Sequence, residues 1–99
     1  MPQFDVLRVR STGEAVIDCQ SDLLRDLPTR FVIPLFPLDS GLPVAGRLNP
    51  TLRVGDDKLV LGTQYALSIP LSELSGAIAS LERDRIEIIG ALDVLISGV

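Results

Sequence analysis

The sequence contains no histidine and no tryptophan, and only one cysteine and one lysine among 99 residues. Without histidine the chain lacks the usual general base near neutral pH and the commonest metal ligand, which excludes triads, HExxH sites and zinc clusters. No metal, cofactor or catalytic residue is expected. Cys19 has no partner for an internal disulfide. Its neighbours Asp18 and Asp22 hold a thiol protonated rather than activate it, so it reads as a small buried hydrophobe. No run approaches the roughly 18 apolar residues that span a bilayer, and no apolar signal segment follows Met1. A soluble, cytoplasmic protein with no membrane partner is the expectation.

What is present is an excess of apolar side chains for so short a chain. One domain covering residues 1–99 is expected, and a domain of this size buries only about 65% of the surface its unfolded form exposes. The composition is 46% apolar with 22% charged residues, and mean hydropathy is +0.38. The surplus suits a subunit interface, and a two-fold homodimer is the commonest outcome. Net charge is -4 with a pI near 4.6, which repels phosphate and argues against direct nucleic-acid binding. Eight of the nine cations are arginine, the cation that stacks and forks onto carboxylates at interfaces. A codon bias toward arginine explains the same count equally well.

Turn residues at short intervals in the first two thirds predict a small all-β unit. Phe4 to Val9 alternates but changes phase between Val6 and Leu7, which predicts a bulged, bent first strand. Ser11-Thr12-Gly13 is a turn, with Ala15 to Cys19 returning as a strand. A polar connection from Ser21 to Arg30 carries Leu23, Leu24 and Leu27. Arg30 to Leu35 is a strand that Pro34 ends, followed by a loop to about Gly46. Leu48 to Val54 and Leu59 to Leu61 form a hairpin around Gly55-Asp56-Asp57-Lys58. Gln64 to Leu71 is a further strand with Tyr65, Leu67 and Ile69 on one face, and Ser72 to Ala79 is ambiguous.

From Leu81 onward the period changes. Arg85, Ile88, Ile89, Leu92, Leu95, Ile96 and Val99 follow helical spacing, with Ser80 as N-cap, Glu82 and Asp84 in the first turn, and Gly98 as the stop. A second line, Ile86, Gly90, Asp93 and Ser97, is too weakly charged for a plainly solvated face. The chain carries no GxxxxGK, no GxGxxG after a strand and no CxxC. Asp56 and Asp57 are accounted for by their turn, and the charged run Glu82 to Glu87 by a solvated helix start with weak ion pairs.

Five ordered segments together resemble the CcdB family of toxins from type II toxin-antitoxin modules. They are Gln3-Phe4-Asp5-Val6, Ile17 to Leu24, Arg30 to Leu35, Leu48-Asn49-Pro50 with Val54-Gly55-Asp56, and Ala91 to Val99. The likeness is weakest from Phe36 to Arg47. It implies a mainly β fold, an SH3-like barrel of antiparallel strands with a small side sheet and a C-terminal α-helix, assembled as a homodimer. It also implies action by binding: the dimer inserts into the DNA gyrase A subunit and traps the enzyme on cut DNA. A CcdA-type antitoxin neutralises it. By position, the target-binding residues implied are Gln3, Phe4, Ser21, Leu23, Leu24, Asp93, Ile96, Ser97, Gly98 and Val99.

One departure bears on that implication. Strong poisons of the family carry tryptophan immediately before the terminal Gly-aliphatic pair, where this chain has Ser97. Loss of such an anchor typically costs about 2 kcal/mol or more, roughly thirtyfold in affinity. Two alternatives follow. One is a weakly toxic or non-toxic member that binds antitoxin and regulates its operon. The other is an endoribonuclease like the MazF toxins, which share the barrel, with Arg30 and Ser21 or Thr63 meeting a scissile phosphate.

Overall fold

A computed structural model describes residues 2–42 and 46–98. Part of the 36–46 loop and the expected contact residue Val99 lie outside the described residues. Seven strands, β1 (Asp5–Arg8), β2 (Ala15–Asp18), β3 (Thr29–Pro37), β4 (Thr51–Val54), β5 (Asp57–Leu61), β6 (Leu67–Pro70) and β7 (Ala79–Ser80), precede one α-helix, α1 (Arg85–Ser97). The strands form one antiparallel, nearly closed, barrel-like sheet in the order β4-β5-β3-β2-β1-β7, with β6 also pairing β3. The expected mainly β fold with a C-terminal helix is thus the fold observed.

The long β3 organises the sheet. Its first half pairs with β6 from Thr29↔Pro70 to Val32↔Leu67, and its last three residues pair with β5 from Leu35↔Leu61 to Pro37↔Leu59. Pro34 does not end it. The residue pairs across to Val16 on β2, and its carbonyl accepts the Gly62 N–H at 2.9 Å, so only the missing donor is forgone.

The phase change in β1 is not a bulge. Val6, Leu7 and Arg8 pair in unbroken register with Ile17, Val16 and Ala15. Both faces are apolar because both are covered. Val6, Ile17 and Ile33 enter the main core with Phe4, Leu61, Leu81, Ile88 and Ala91, whereas Leu7, Val16 and Val32 pack under Leu74 in a second cluster. Alternation is lost where each face of a sheet meets other apolar groups.

The hairpin is tighter than expected. Gly55, at φ 62°, and Asp56 alone connect β4 to β5, the two-residue loop with glycine first that follows strand twist. Residues 48–50 are not strand. Their place is set by the buried Asn49, whose Nδ2 donates to the Leu61 carbonyl at 2.9 Å and to Gln64 Oε1 at 2.6 Å. Tyr65 belongs to a 3-10 turn (Thr63–Tyr65), which leaves β6 to begin at Leu67, and residues 72–79 contain a short turn and extended chain before β7.

The helix begins at Arg85 rather than Leu81, after a 3-10 turn at Glu82–Asp84. Ser80 Oγ accepts the Glu82 N–H at 3.3 Å and therefore serves that turn, not α1. Gly98 ends α1 in the left-handed conformation, φ 78°, with its N–H on the Val94 carbonyl at 2.9 Å. The expected apolar stripe is only partly inward. Ile88 is buried and Ile89 and Leu92 are partly so, but Leu95 and Ile96 are exposed. Among the described residues no helix is long and apolar enough to cross a membrane.

Candidate partner-binding surface

The segment joining β2 to β3 displays leucines outward. Ser21 opens a 3-10 turn (Asp22–Leu24): its Oγ accepts the Leu23 N–H at 3.2 Å, and its carbonyl accepts the Leu24 N–H at 2.9 Å. Leu23 is 92% exposed, and Leu24 and Leu27 are about half exposed. Every residue from 22 to 28 is exposed.

Polar side chains hold this loop from beneath. Arg30 is buried on β3, with Nε 3.5 Å from Asp18 Oδ2. Its Nη1 donates to the Leu27 and Thr29 carbonyls at 3.0 and 3.1 Å, and its Nη2 to the Arg25 carbonyl at 2.7 Å. Gln20 accepts the Phe31 N–H at 3.0 Å and donates to the Leu24 carbonyl at 2.8 Å. Asp18 Oδ1 accepts the Gln20 N–H at 3.0 Å. Burial nevertheless pushes the Asp18 carboxyl above its ordinary range, outweighing that N–H and the Arg30 charge.

Gln3 lies against this loop without offering a free amide. Its N–H donates to Asp22 Oδ1 at 2.8 Å, its Nε2 to the Cys19 carbonyl at 3.0 Å, and its Oε1 accepts from Arg85 Nη1 at 3.2 Å. Phe4 is fully buried in the main core. The expectation that Phe4 lies at the target-binding surface is corrected: its side chain packs inward with Ile88 and Ala91 of α1, because the apolar ring is covered by the main core. Cys19 is buried, and its thiol is pushed up to about 12, chiefly by burial and further by Asp18.

At the far end of α1, Asp93, Ile96, Ser97 and Gly98 are exposed. The Ser97 hydroxyl donates to the Asp93 carbonyl at 2.6 Å. The helix runs thirteen residues from Gln3's partner Arg85 to Ser97, about 18 Å between the first and last Cα atoms. Gln3 thus joins the Ser21–Leu24 turn, through Asp22, to the start of α1, through Arg85, and Ser97 lies at the other end of that helix. Along the helix, a groove of about 580 Å³ is lined by Ile86, Ile89, Gly90 and Asp93 together with Arg47 and Pro50. Three residues of the weakly charged line on α1, Ile86, Gly90 and Asp93, thus line this groove.

The supporting groups Asp18, Gln20 and Arg30 were not anticipated as part of this surface. Their signal in the sequence is charge inside apolar strands: Asp18 follows Val16-Ile17 and Arg30 precedes Phe31-Val32-Ile33. Opposite charges placed so are buried only when paired. Of the residues suggested for phosphate chemistry, Ser21 has its Oγ accepting the Leu23 N–H, while Arg30 and Thr63 donate to protein groups. Arg30 is engaged as described, and the buried Thr63 donates its hydroxyl to the Leu48 carbonyl at 2.6 Å.

Comparison with known proteins agrees with this fold. No curated protein sequence matches the chain. Among solved structures, the Mycobacterium tuberculosis toxin MazF-mt6 is similar with a TM-score of 0.67 and 17% identity, covering 90% of this chain and 92% of that one. At that identity the likeness is one of fold. The family model described as CcdB protein matches residues 3–98, and the chain belongs to the CcdB family, whose members are toxins of toxin-antitoxin systems.

Proposed function

We propose that two copies of this chain form a homodimer that binds the DNA gyrase A subunit, traps the enzyme on cut DNA, and is neutralised by a CcdA-type antitoxin. The observation that carries the reading is Leu23, 92% exposed on a turn whose backbone is anchored from below. Isolated apolar side chains on a surface need no explanation, but Leu23, Leu24 and Leu27 stand on one short loop, and grouped exposure of that kind marks a protein contact. The exposed Ile96, Ser97 and Gly98 supply the second contact, with Asp93 at its edge. Exposed Ile86 and Leu95 leave α1 with apolar area for a second copy.

The action is binding, with no bond made or broken by this chain. Arg30 and Thr63 donate to protein carbonyls, and the Cys19 thiol, at about 12, is not ionised near neutral pH. These placements favour a gyrase-directed toxin over a ribonuclease.

Induced expression in a sensitive cell is expected to slow growth and leave cleaved DNA trapped on gyrase. Normal growth with intact DNA at high expression overturns the reading. Purified protein is expected to retain the gyrase A subunit and the product of a short upstream reading frame. An attenuated toxin is the second reading, favoured by Ser97, whose hydroxyl is turned back onto its own helix.

A further inference from the structure

We infer that Arg30, Gln20 and Gln3 are positioning residues: a polar latch in the sheet that keeps the 21–28 loop in its binding shape before any partner arrives. The inference rests on the proposed gyrase-binding role of that loop and names what prepares it.

The loop cannot be held by its own packing. The turn Asp22–Leu24 has no buried residue, and exposure continues through Pro28. Apolar burial, which orders most of a fold, therefore supplies little here. Its own backbone bonds, Leu24 N–H to the Ser21 carbonyl and Leu27 N–H to the Leu24 carbonyl, close its turns, and hydrogen bonds rooted elsewhere tie those turns to the sheet. Arg30 reaches the Arg25 and Leu27 carbonyls from β3, Gln20 reaches Leu24 from the end of β2, and Gln3 meets Asp22 through its backbone N–H. Three roots, on β3, just past β2 and in the N-terminal segment, hold four successive parts of one loop.

The chemistry of position 30 supports the same conclusion. A guanidinium presents five donors in a rigid fork, and three of the bonds Arg30 makes end on carbonyls of residues 25, 27 and 29. A buried ion pair is weak evidence for stability, since well-packed apolar residues often replace it without loss. Its use lies in geometry: an apolar residue at 30 could fill the strand but leave those carbonyls unheld. A loop ordered in advance loses less conformational freedom on association. Exposed leucines on a loose loop would also fold back onto the protein.

Removing Arg30 leaves the buried Asp18 carboxyl without its cationic partner, so Arg30 variants can fail to fold, and Gln20→Glu is the cleaner test. Glutamate keeps an oxygen for the Phe31 N–H but loses the donor to the Leu24 carbonyl. Arg30→Lys serves as the second variant. In Gln20→Glu, trypsin cleavage after Arg25 and amide exchange at residues 23–27 are expected to rise about tenfold or more, with β1–β3 amides and the thermal midpoint unchanged. Affinity for purified gyrase A is expected to fall about tenfold or more through faster dissociation. Unchanged cleavage and exchange overturn the latch. Loosening with unchanged affinity overturns its positioning role. If the unaltered protein does not bind gyrase A, the proposed function falls, while cleavage and exchange still decide whether the latch holds the loop.

Discussion

The Arg85 guanidinium lies 5.4 Å from the centre of the Phe4 ring, joining the first turn of α1 to the residue before β1. Phe4 is fully buried and holds a φ of 71°, a conformation that a bulky residue keeps only when its surroundings enforce it. Its amide donates to the Asp18 carbonyl and its carbonyl accepts the Leu81 N–H, so the backbone is held from both sides. Phe4→Ala is expected to cost about 3–5 kcal/mol, measured by chemical denaturation. Arg85→Gln, which removes an exposed cation from the ring, is expected to cost about 0.5–1 kcal/mol. Any loss of partner binding in Phe4→Ala is expected to track the unfolded fraction, unlike the loss from a contact residue.

The buried carboxyls set a pH dependence. Burial raises Asp5, with a smaller raising effect from Asp22, and it raises Asp18 despite Arg30. A group whose folded pKa exceeds its unfolded value of 3.8 binds protons more readily when folded. Its stabilisation is complete below 3.8 and is lost as pH rises through the folded value. Asp5→Asn is therefore expected to raise the thermal midpoint at neutral pH and to give no gain below pH 3.8. Melts across that range check it, and an equal gain at both ends contradicts the assignment.

Gly62 is required by shape. A Cβ there would fall 2.2 Å from Phe36 Cε2 and 3.1 Å from the Pro34 carbonyl oxygen. The ring that must move is itself set edge-on to Tyr65, 5.7 Å between centroids. Gly62→Ala is expected to cost about 1–3 kcal/mol as overpacking, a fall in thermal midpoint of roughly 4–8 °C per kcal/mol.

The two proposed contact regions offer a way to separate binding from folding. Leu23→Asp is expected to change stability by no more than about 0.5 kcal/mol, because the side chain is almost wholly exposed, and to weaken gyrase A binding. Ser97→Trp adds a large ring to an exposed helix end, and a gain of about 2 kcal/mol, roughly thirtyfold, is expected in titrations against the same subunit. No gain at Ser97→Trp argues that the helix end does not face the target.

Much of this architecture was legible in residue order. The β4–β5 hairpin follows from apolar runs flanking Gly55-Asp56, and the C-terminal helix from its change of period and its glycine stop, because turns and helix ends are local and need only neighbours in the chain. Strand limits were less legible. Pro34 reads as a terminator until the Gly62 N–H is found on its carbonyl, and Val6-Leu7 reads as a bulge until Leu74 is found covering the second face. Both outcomes depend on residues more than 25 positions away.

The sequence by itself determined the family, through five ordered segments of one toxin family, and the mainly β fold with its C-terminal helix. Tertiary structure alone decided which of the named contact residues face outward. Phe4 turns into the core and Gln3 is bonded internally, while Leu23 stands clear. The physical reason is that exposure is a property of what packs over a residue. For the 21–28 loop that depends on Asp18, Gln20 and Arg30 meeting from two strands, a convergence set by strand register rather than by local propensity.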